Sequence, residues 1–337
     1  MRLTLIACLL LHAVGTTAEG VVYDFAAGDT LAAKGGWTFA EPNWALAPLP
    51  DGKGQGLPFL FAGSKPGNYG MREMRFTMPP ADAFWLGFRW HIPANYQHRH
   101  DTHLDIVGAD TAGWQIGDEV RGTVAEATGI ISQVDGKGIF LRFASRSYYN
   151  ESWVGGITNL TRKSTLPSTG RSQWGANNKL LAIWADGYSA KGLGPTLVWQ
   201  TDLNWGDGKK ESFFTVGYAA GNHTVSRAPA TAGVLVGEAD HGKYIDIIFH
   251  ARFCSKPGAK DGVIRSWVRR EGEQDYRKHH DITNAELDQR SDVPAAQQQW
   301  CNGYLMGWAN SGFDRDTTFQ LSRISWSGSE PAELAGR

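Results

Sequence analysis

The sequence has little that would mark a nucleic-acid or membrane protein. Its 33 basic and 34 acidic residues leave a net charge of −1, so composition offers no field for a nucleic-acid partner. After residue 19 no apolar run is long enough to span a bilayer. Three cysteines in 337 residues exclude a disulfide-dense scaffold. No P-loop, dinucleotide fingerprint or nucleophile elbow is present. A retaining glucanase needs two carboxylates on one strand face, and no Glu-x-Asp-x-x-Glu strand supplies them. No helix longer than a few turns is predicted anywhere.

What is abundant is aromatic and glycine content, with 14 Trp and 41 Gly. Together with many short alternating runs, it points to an all-β protein. Residues 1–19 begin Met1-Arg2, continue apolar through Val14 and end in small residues. They read as a secretory signal peptide cut near Ala18, which implies a secreted protein, extracellular or periplasmic. Cys8 would leave with it. Cys254 and Cys301 remain, both flank predicted strands, and an oxidising compartment would let them pair as a disulfide. Sequons occur at Asn150, Asn159 and Asn222.

The most legible stretch is Tyr244 to Val268, two strands around a polar loop with Pro257, Gly258, Asp261 and Gly262. Ile245, Ile247, Phe249, Ala251 and Phe253 share one face by alternation, while Tyr244, Asp246, Ile248, His250 and Arg252 share the other. In the second strand Ile264, Ser266 and Val268 turn inward, and Arg265, Trp267 and Arg269 turn out. A face that mixes Tyr and Trp with charge reads as a candidate groove. Phe84 to Ile92 is a further strand, with Trp85, Arg89 and His91 opposite its apolar side. Strands are also read at 21–25, 72–76, 197–200, 212–218, 304–310 and 317–327. Gly221 to Gly237 and Asp275 to Gln299 read as polar loops, the latter with a helical turn at Asn284 to Gln289. Shorter strands and closer turns over 107–161 suggest a small β-barrel or hairpin module inserted into a larger domain. That division gives a discontinuous domain of 20–106 and 173–328, a linker at 162–172 and a tail at 329–337.

Arg72-Glu73-Met74-Arg75 is similar to the Arg-Ser-Glu-Leu-Arg strand of alginate-lyase-type polysaccharide lyases. Tyr304-Leu-Met-Gly-Trp-Ala-Asn310 resembles their Tyr-Phe-Lys-Ala-Gly-Val-Tyr-Asn strand, with Met306 where the family has Lys and Trp308 where it has the second Tyr. Their Gln-(Ile/Val)-His motif has no counterpart; Lys179 to Trp184 stands in its place. The whole pattern resembles the concanavalin A-like lectin/glucanase superfamily. The resemblance implies a jelly-roll β-sandwich of two antiparallel sheets and an acidic polysaccharide as partner.

Opening a uronic-acid linkage by β-elimination needs a cation for the carboxylate, a base for the C5 proton and an acid for the leaving oxygen. Arg89, Arg252 and Arg265 could supply the first, His91 or His250 the second, and Tyr304 the third. Tyr304, Met306, Trp308 and Asn310 are expected on one strand face, opposite Leu305, Gly307 and Ala309. Arg72, Lys179, Arg265, Trp267, Trp308 and Asn310 are candidates for substrate binding, the indoles as stacking platforms. The competing reading is a non-catalytic carbohydrate-binding or virion-type adhesion protein that uses the same groove. His98, His100, Asp101 and His103 match no zinc spacing and read as a solvated loop. No cofactor is required, although Asp24, Asp314 and Asp316 could hold a structural calcium.

Overall fold

The structure is a computed structural model. It describes residues 20–64, 69–97, 102–107, 111, 113–124, 127–136, 138–142, 153–171, 177–185, 196–202, 211–219, 225–287, 299–310 and 312–334. The signal-peptide region, His98, His100, Asp101, Asn150 and Asn222 lie outside the described residues.

The described residues form strands numbered β1 to β22 in chain order. One sheet holds β1 (Val21–Tyr23), β3 (Ala47–Pro48), β4 (Gln55–Phe61), β6 (Ala83–His91), β18 (Tyr244–Arg252), β19 (Gly262–Arg270), β20 (Arg277–Ala285) and β22 (Thr317–Ser327). Its order is β20-β19-β18-β6-β22-β4-β3, with β1 on β22. The second sheet holds β2 (Thr38–Phe39), β5 (Gly70–Ala81), β14 (Asn177–Trp184), β15 (Thr196–Asp202), β16 (Ser212–Ala219), β17 (Val225–Val236) and β21 (Trp300–Ala309). Its order is β17-β16-β15-β14-β21-β5-β2, and every pairing in both sheets is antiparallel. The two sheets pack as a jelly-roll β-sandwich, the all-β architecture that the resemblance implies.

Alternation explains the core. Phe84, Leu86, Phe88 and Trp90 from β6 and Ile245, Ile247, Phe249 and Ala251 from β18 meet Leu197, Trp199, Phe214, Val216 and Leu305 of the other sheet in one buried cluster. Aromatic rings fill most of the gap: Phe253 stacks on Trp300 at 4.2 Å, and Trp37 on Phe76 at 4.5 Å. Much of the tryptophan excess is therefore core, with Trp37, Trp90, Trp199 and Trp300 almost fully buried here.

The third sheet contains β7 (Thr102–Ile106), β8 (Glu119–Gly122), β9 (Thr128–Val134), β10 (Gly138–Arg142), β11 (Ile157–Asn159), β12 (Ser164–Leu166) and β13 (Ser168–Arg171). Its strands pair only with one another, and it has its own core of Leu104, Trp114, Val120, Ile131, Ile139 and Trp153. The sheet takes Thr102–Ile106 from the stretch assigned to the larger domain and Ser164–Arg171 from the stretch read as a linker. β13 closes back on β7, so the module is pinned where it enters and leaves. His103 is held between Asp105 and Asp135, at 3.4 and 3.1 Å. Asn159 is buried and donates to Asp118 at 2.9 Å, so its sequon is spent on structure.

Three expectations need correcting. β17 and β20 are long strands where polar loops were predicted. In β20 (RKHHDITNA) the charged residues hide a pair of buried histidines, His279 and His280, the latter packed on Phe214 at 4.9 Å. No disulfide joins Cys254 to Cys301. The Cys254 thiol donates to the Ala285 carbonyl beside the first sheet, while that of Cys301 donates to Ala185 beside the second. The melting temperature should therefore not change on adding a thiol reductant; a drop of several degrees would mean the pair bridges.

Gly138 lies against β7, where an added Cβ would stand 1.9 Å from the Leu104 carbonyl oxygen. Gly138→Ala must push β10 from β7, at a cost of about 1–3 kcal/mol. Hydrogen exchange should accelerate across β7 and β10 with the sandwich amides unchanged.

Candidate functional site

The core divides the predicted residues into two groups that cannot meet. His91, Arg89, His250, Arg252, Arg265 and Trp267 all project from the outer face of the first sheet, because their strand neighbours Trp90, Phe249, Ala251, Ile264 and Val268 are in the core. Tyr304 projects from the outer face of the second sheet, where it clusters with Ala182, Trp184 and Val198. A catalytic set of Tyr304 with His250, His91, Arg89 and Arg252 is thus not assembled.

The first of these faces is occupied by its own contacts. Arg269 pairs with Asp246 at 2.7 Å, Arg265 with Asp281 at 2.7 Å, and Arg89 lies over the Tyr244 ring at 4.1 Å. Arg252 donates to the Asp261 carbonyl at 3.0 Å. His250 stacks on Trp85 at 4.1 Å, Trp85 on Trp267 at 5.2 Å, and Lys278 stands over Trp267. Trp267 is buried within this cluster, which removes it as a sugar platform. Leu334, from the tail, packs into the same cluster.

Burial pushes the His250 imidazole down to about 4, and that of His279 likewise to about 4. His91 is also lowered by burial. His250 donates from Nδ1 to the Phe84 carbonyl at 2.8 Å. A histidine whose folded pKa is depressed favours the neutral form, so its stability is present above about 6.5 and lost as pH falls toward 4. For His250 and His279 each shift amounts to roughly 3 kcal/mol. Urea midpoints should fall between pH 6.5 and 4, and His250→Phe should flatten part of that slope; an unchanged slope would refute the assignment.

The outer face of the second sheet is built differently. β15 alternates Leu197 and Trp199 into the core with Val198 and Gln200 outward, and β16 sends Thr215 outward between Phe214 and Val216. The register sets Thr215 opposite Gln200, and Gln200 opposite Lys179 of β14. On β21, Tyr304 lies opposite Ala182 of β14 and Arg75 of β5. Gly307 joins the two halves of this row. A side chain there would meet the Tyr304 ring at 2.7 Å and the Lys179 Cβ at 3.2 Å, so its absence lets the phenol lie beside the lysine stem. Arg75 donates from Nε to Glu73 at 2.7 Å. Thr215 is buried, and its hydroxyl has no partner among the described residues.

Met306 departs from the expected alternation. Its φ of 55° is in the left-handed region, which turns its side chain into the core next to Leu305 instead of outward with Tyr304. Trp308 sits opposite Met71 and packs on Tyr69 at 4.7 Å, and the Asn310 amide donates to the Asn177 carbonyl at 2.9 Å. Arg72 lies over the Trp44 ring at 3.9 Å. Of the predicted residues, β5, β14 and β21 therefore gather Arg72, Lys179, Tyr304 and Trp308 onto three adjacent strands, with Asn310 just beyond. The sequence reading missed Gln200, Thr215 and Arg75, although a polar residue alternating with Leu197 and Trp199 was a usable signal.

Asp314 is paired with Arg142 at 2.8 Å, Asp316 accepts from the Gly63 amide at 2.8 Å, and among the described residues no three His, Cys, Asp or Glu gather as a metal-binding group.

No protein-family model matches the chain, and no curated protein sequence does. Among solved structures, the marine PL-14 alginate lyase from Aplysia kurodai is similar at 7% identity and a TM-score of 0.38, over 92% of this chain and 98% of that one. The Emp46p carbohydrate recognition domain in its potassium-bound form is similar at 8% identity and a TM-score of 0.33, over 88% and 90%. A Bacteroides ovatus mixed linkage glucan GH16 protein is similar at 8% identity and a TM-score of 0.32, over 90% and 98%. At these values no residue role passes from them to this chain.

Proposed function

We propose that the protein acts on an acidic polysaccharide laid across the outer face of the second sheet, and that it cleaves a uronic-acid linkage there by β-elimination. The observation that carries this reading is the meeting of Tyr304 and Lys179 over Gly307, with Arg75 across the strand. The reaction removes the C5 proton, forms a C4–C5 double bond and expels the C4 oxygen, which takes a proton as it leaves. Lys179 receives the first proton and Tyr304 gives the second. The terminal nitrogens of Arg75 and the Gln200 amide hold the carboxylate while charge builds on it. His91 and His250 have no part, because they stand on the other side of the core. The reading asks for no cofactor and puts the protein outside the cytoplasm, in line with its apolar first 19 residues.

The test is absorbance in the ultraviolet band of unsaturated uronates, across alginate, glucuronan, heparin-like and pectic substrates. Tyr304→Phe and Lys179→Met should each lower turnover by about 10²–10⁴-fold, with retardation in an affinity gel kept. His250→Asn should leave turnover unchanged once the variant is shown to be folded. A flat trace in the native protein with retardation retained would make it a carbohydrate-binding protein without catalysis.

A further inference from the structure

Outside the inserted sheet, the described residues expose four large hydrophobic side chains, Val22, Leu60, Tyr69 and Met71. Three of them line one cleft of about 840 Å³ between β4 and the start of β5. Tyr69 is 61% exposed, Met71 52% and Leu60 49%. Scattered apolar residues on a surface mean little, but their concentration in one concave place marks a binding site.

The cleft also has built polar features. Arg72 lies over Trp44, with its guanidinium carbon 3.9 Å from the ring centroid, and the indole N–H donates to the Pro58 carbonyl at 3.1 Å. No carboxylate pairs with Arg72 among the described residues, in contrast to Arg265 and Arg269. Glu41 lines the same cleft. The Tyr69 ring packs on Trp308 at 4.7 Å.

The cleft wall at 61–64 is held from outside. Its Gly63 and Ser64 amides donate to Asp316 and to the Phe313 carbonyl, at 2.8 and 2.9 Å. Asp314, in that same turn, is gripped through both carboxylate oxygens by Arg142 of the inserted sheet, at 2.8 and 2.9 Å.

We propose that this cleft is a second saccharide-binding site, which takes one pyranose unit with its C–H face on Tyr69 and its hydroxyls shared between Arg72 and Glu41. A pyranose has an apolar face that packs on an aromatic ring, and its hydroxyls both donate and accept. A guanidinium that only donates and a carboxylate that only accepts complement them. The register fixes its relation to the row described above, since Arg72 lies opposite Gly307 and Met71 opposite Trp308. The proposal rests on the polysaccharide reading of the protein, not on its catalysis.

Binding of the full chain is measured by affinity-gel retardation and intrinsic tryptophan fluorescence, with the four acidic glycans and a neutral β-glucan. Tyr69→Ala and Arg72→Met should each weaken binding about tenfold on any glycan that retards the native protein, equivalent to about 1.4 kcal/mol. Tyr69 is exposed, so its removal should leave the melting temperature within a degree or two. Retardation unchanged in both variants would overturn the cleft whatever the turnover, and so would a native protein retarded by none of the five. Loss of retardation in Tyr69→Ala with no turnover in the native protein would keep the cleft and remove the lyase.

Discussion

A core shared by two sheets is the constraint on which everything else in this molecule depends. Side chains on a strand alternate, and one half of each strand's residues is committed to the space between the sheets. That space is about 10 Å thick in a sandwich of this kind, and here it is filled by Trp199, Phe249, Trp300 and their neighbours. A polar residue is thereby sent to one of two outer faces, and residues on opposite faces cannot share a substrate. This is why His250 and Tyr304, each reasonable as a catalytic group in isolation, do not belong to one site.

The two faces differ in how their charged and aromatic groups are paired. On the first sheet most cations have a partner at short range, and Trp267 is buried against Trp85. That face still leaves the Arg89 Nε and the Tyr244 hydroxyl buried without a hydrogen-bond partner among the described residues. On the second sheet a buried hydroxyl on Thr215 is left without a partner among the described residues, next to Gln200 and Lys179 in register. Buried polar groups are normally paired, and one that is not costs stability. The irregularities of the sheet fall on the same strands. β14 shifts register between Lys179 and Leu181, and β21 carries Met306 at a φ that costs a non-glycine residue energy. Bulges of this kind re-aim side chains beside functional sites; here they put Leu180 and Leu181 both in the core and leave Lys179 out.

Much of the fold was legible because it is written in a period of two. The strands from Phe84, from Tyr244 and from Gly262 show clean alternation, and the faces read from them are the faces observed. β17 and β20 escaped because their residues are polar or small, and a sheet's end strand needs fewer apolar residues than a central one. The face of Met306 escaped for another reason, since one left-handed residue reverses alternation and nothing in Tyr-Leu-Met-Gly-Trp announces it. Which strands become neighbours is the deepest limit. Lys179 and Tyr304 are 125 positions apart, and only the pairing of β14 with β21 brings them together.

That pairing also accounts for where the inserted sheet sits. The chain crosses from the first sheet to the second between β4 and β5 and again between β6 and β14, and it returns between β21 and β22. Asn310 bonds to Asn177, Ser64 to Phe313, and Gly63 to Asp316, so these three crossings lie side by side at one end of the sandwich. An insertion in the second crossing must therefore emerge next to the other two. With β13 closed on β7, the inserted sheet can fold on its own core and still reach back through one bidentate pair, Arg142 to Asp314, to the turn that supports the cleft wall. Such a pair is stronger and more directional than a single surface contact. The topology thus gives the inserted sheet a means of fixing one wall of a binding cleft without contributing a residue to its lining.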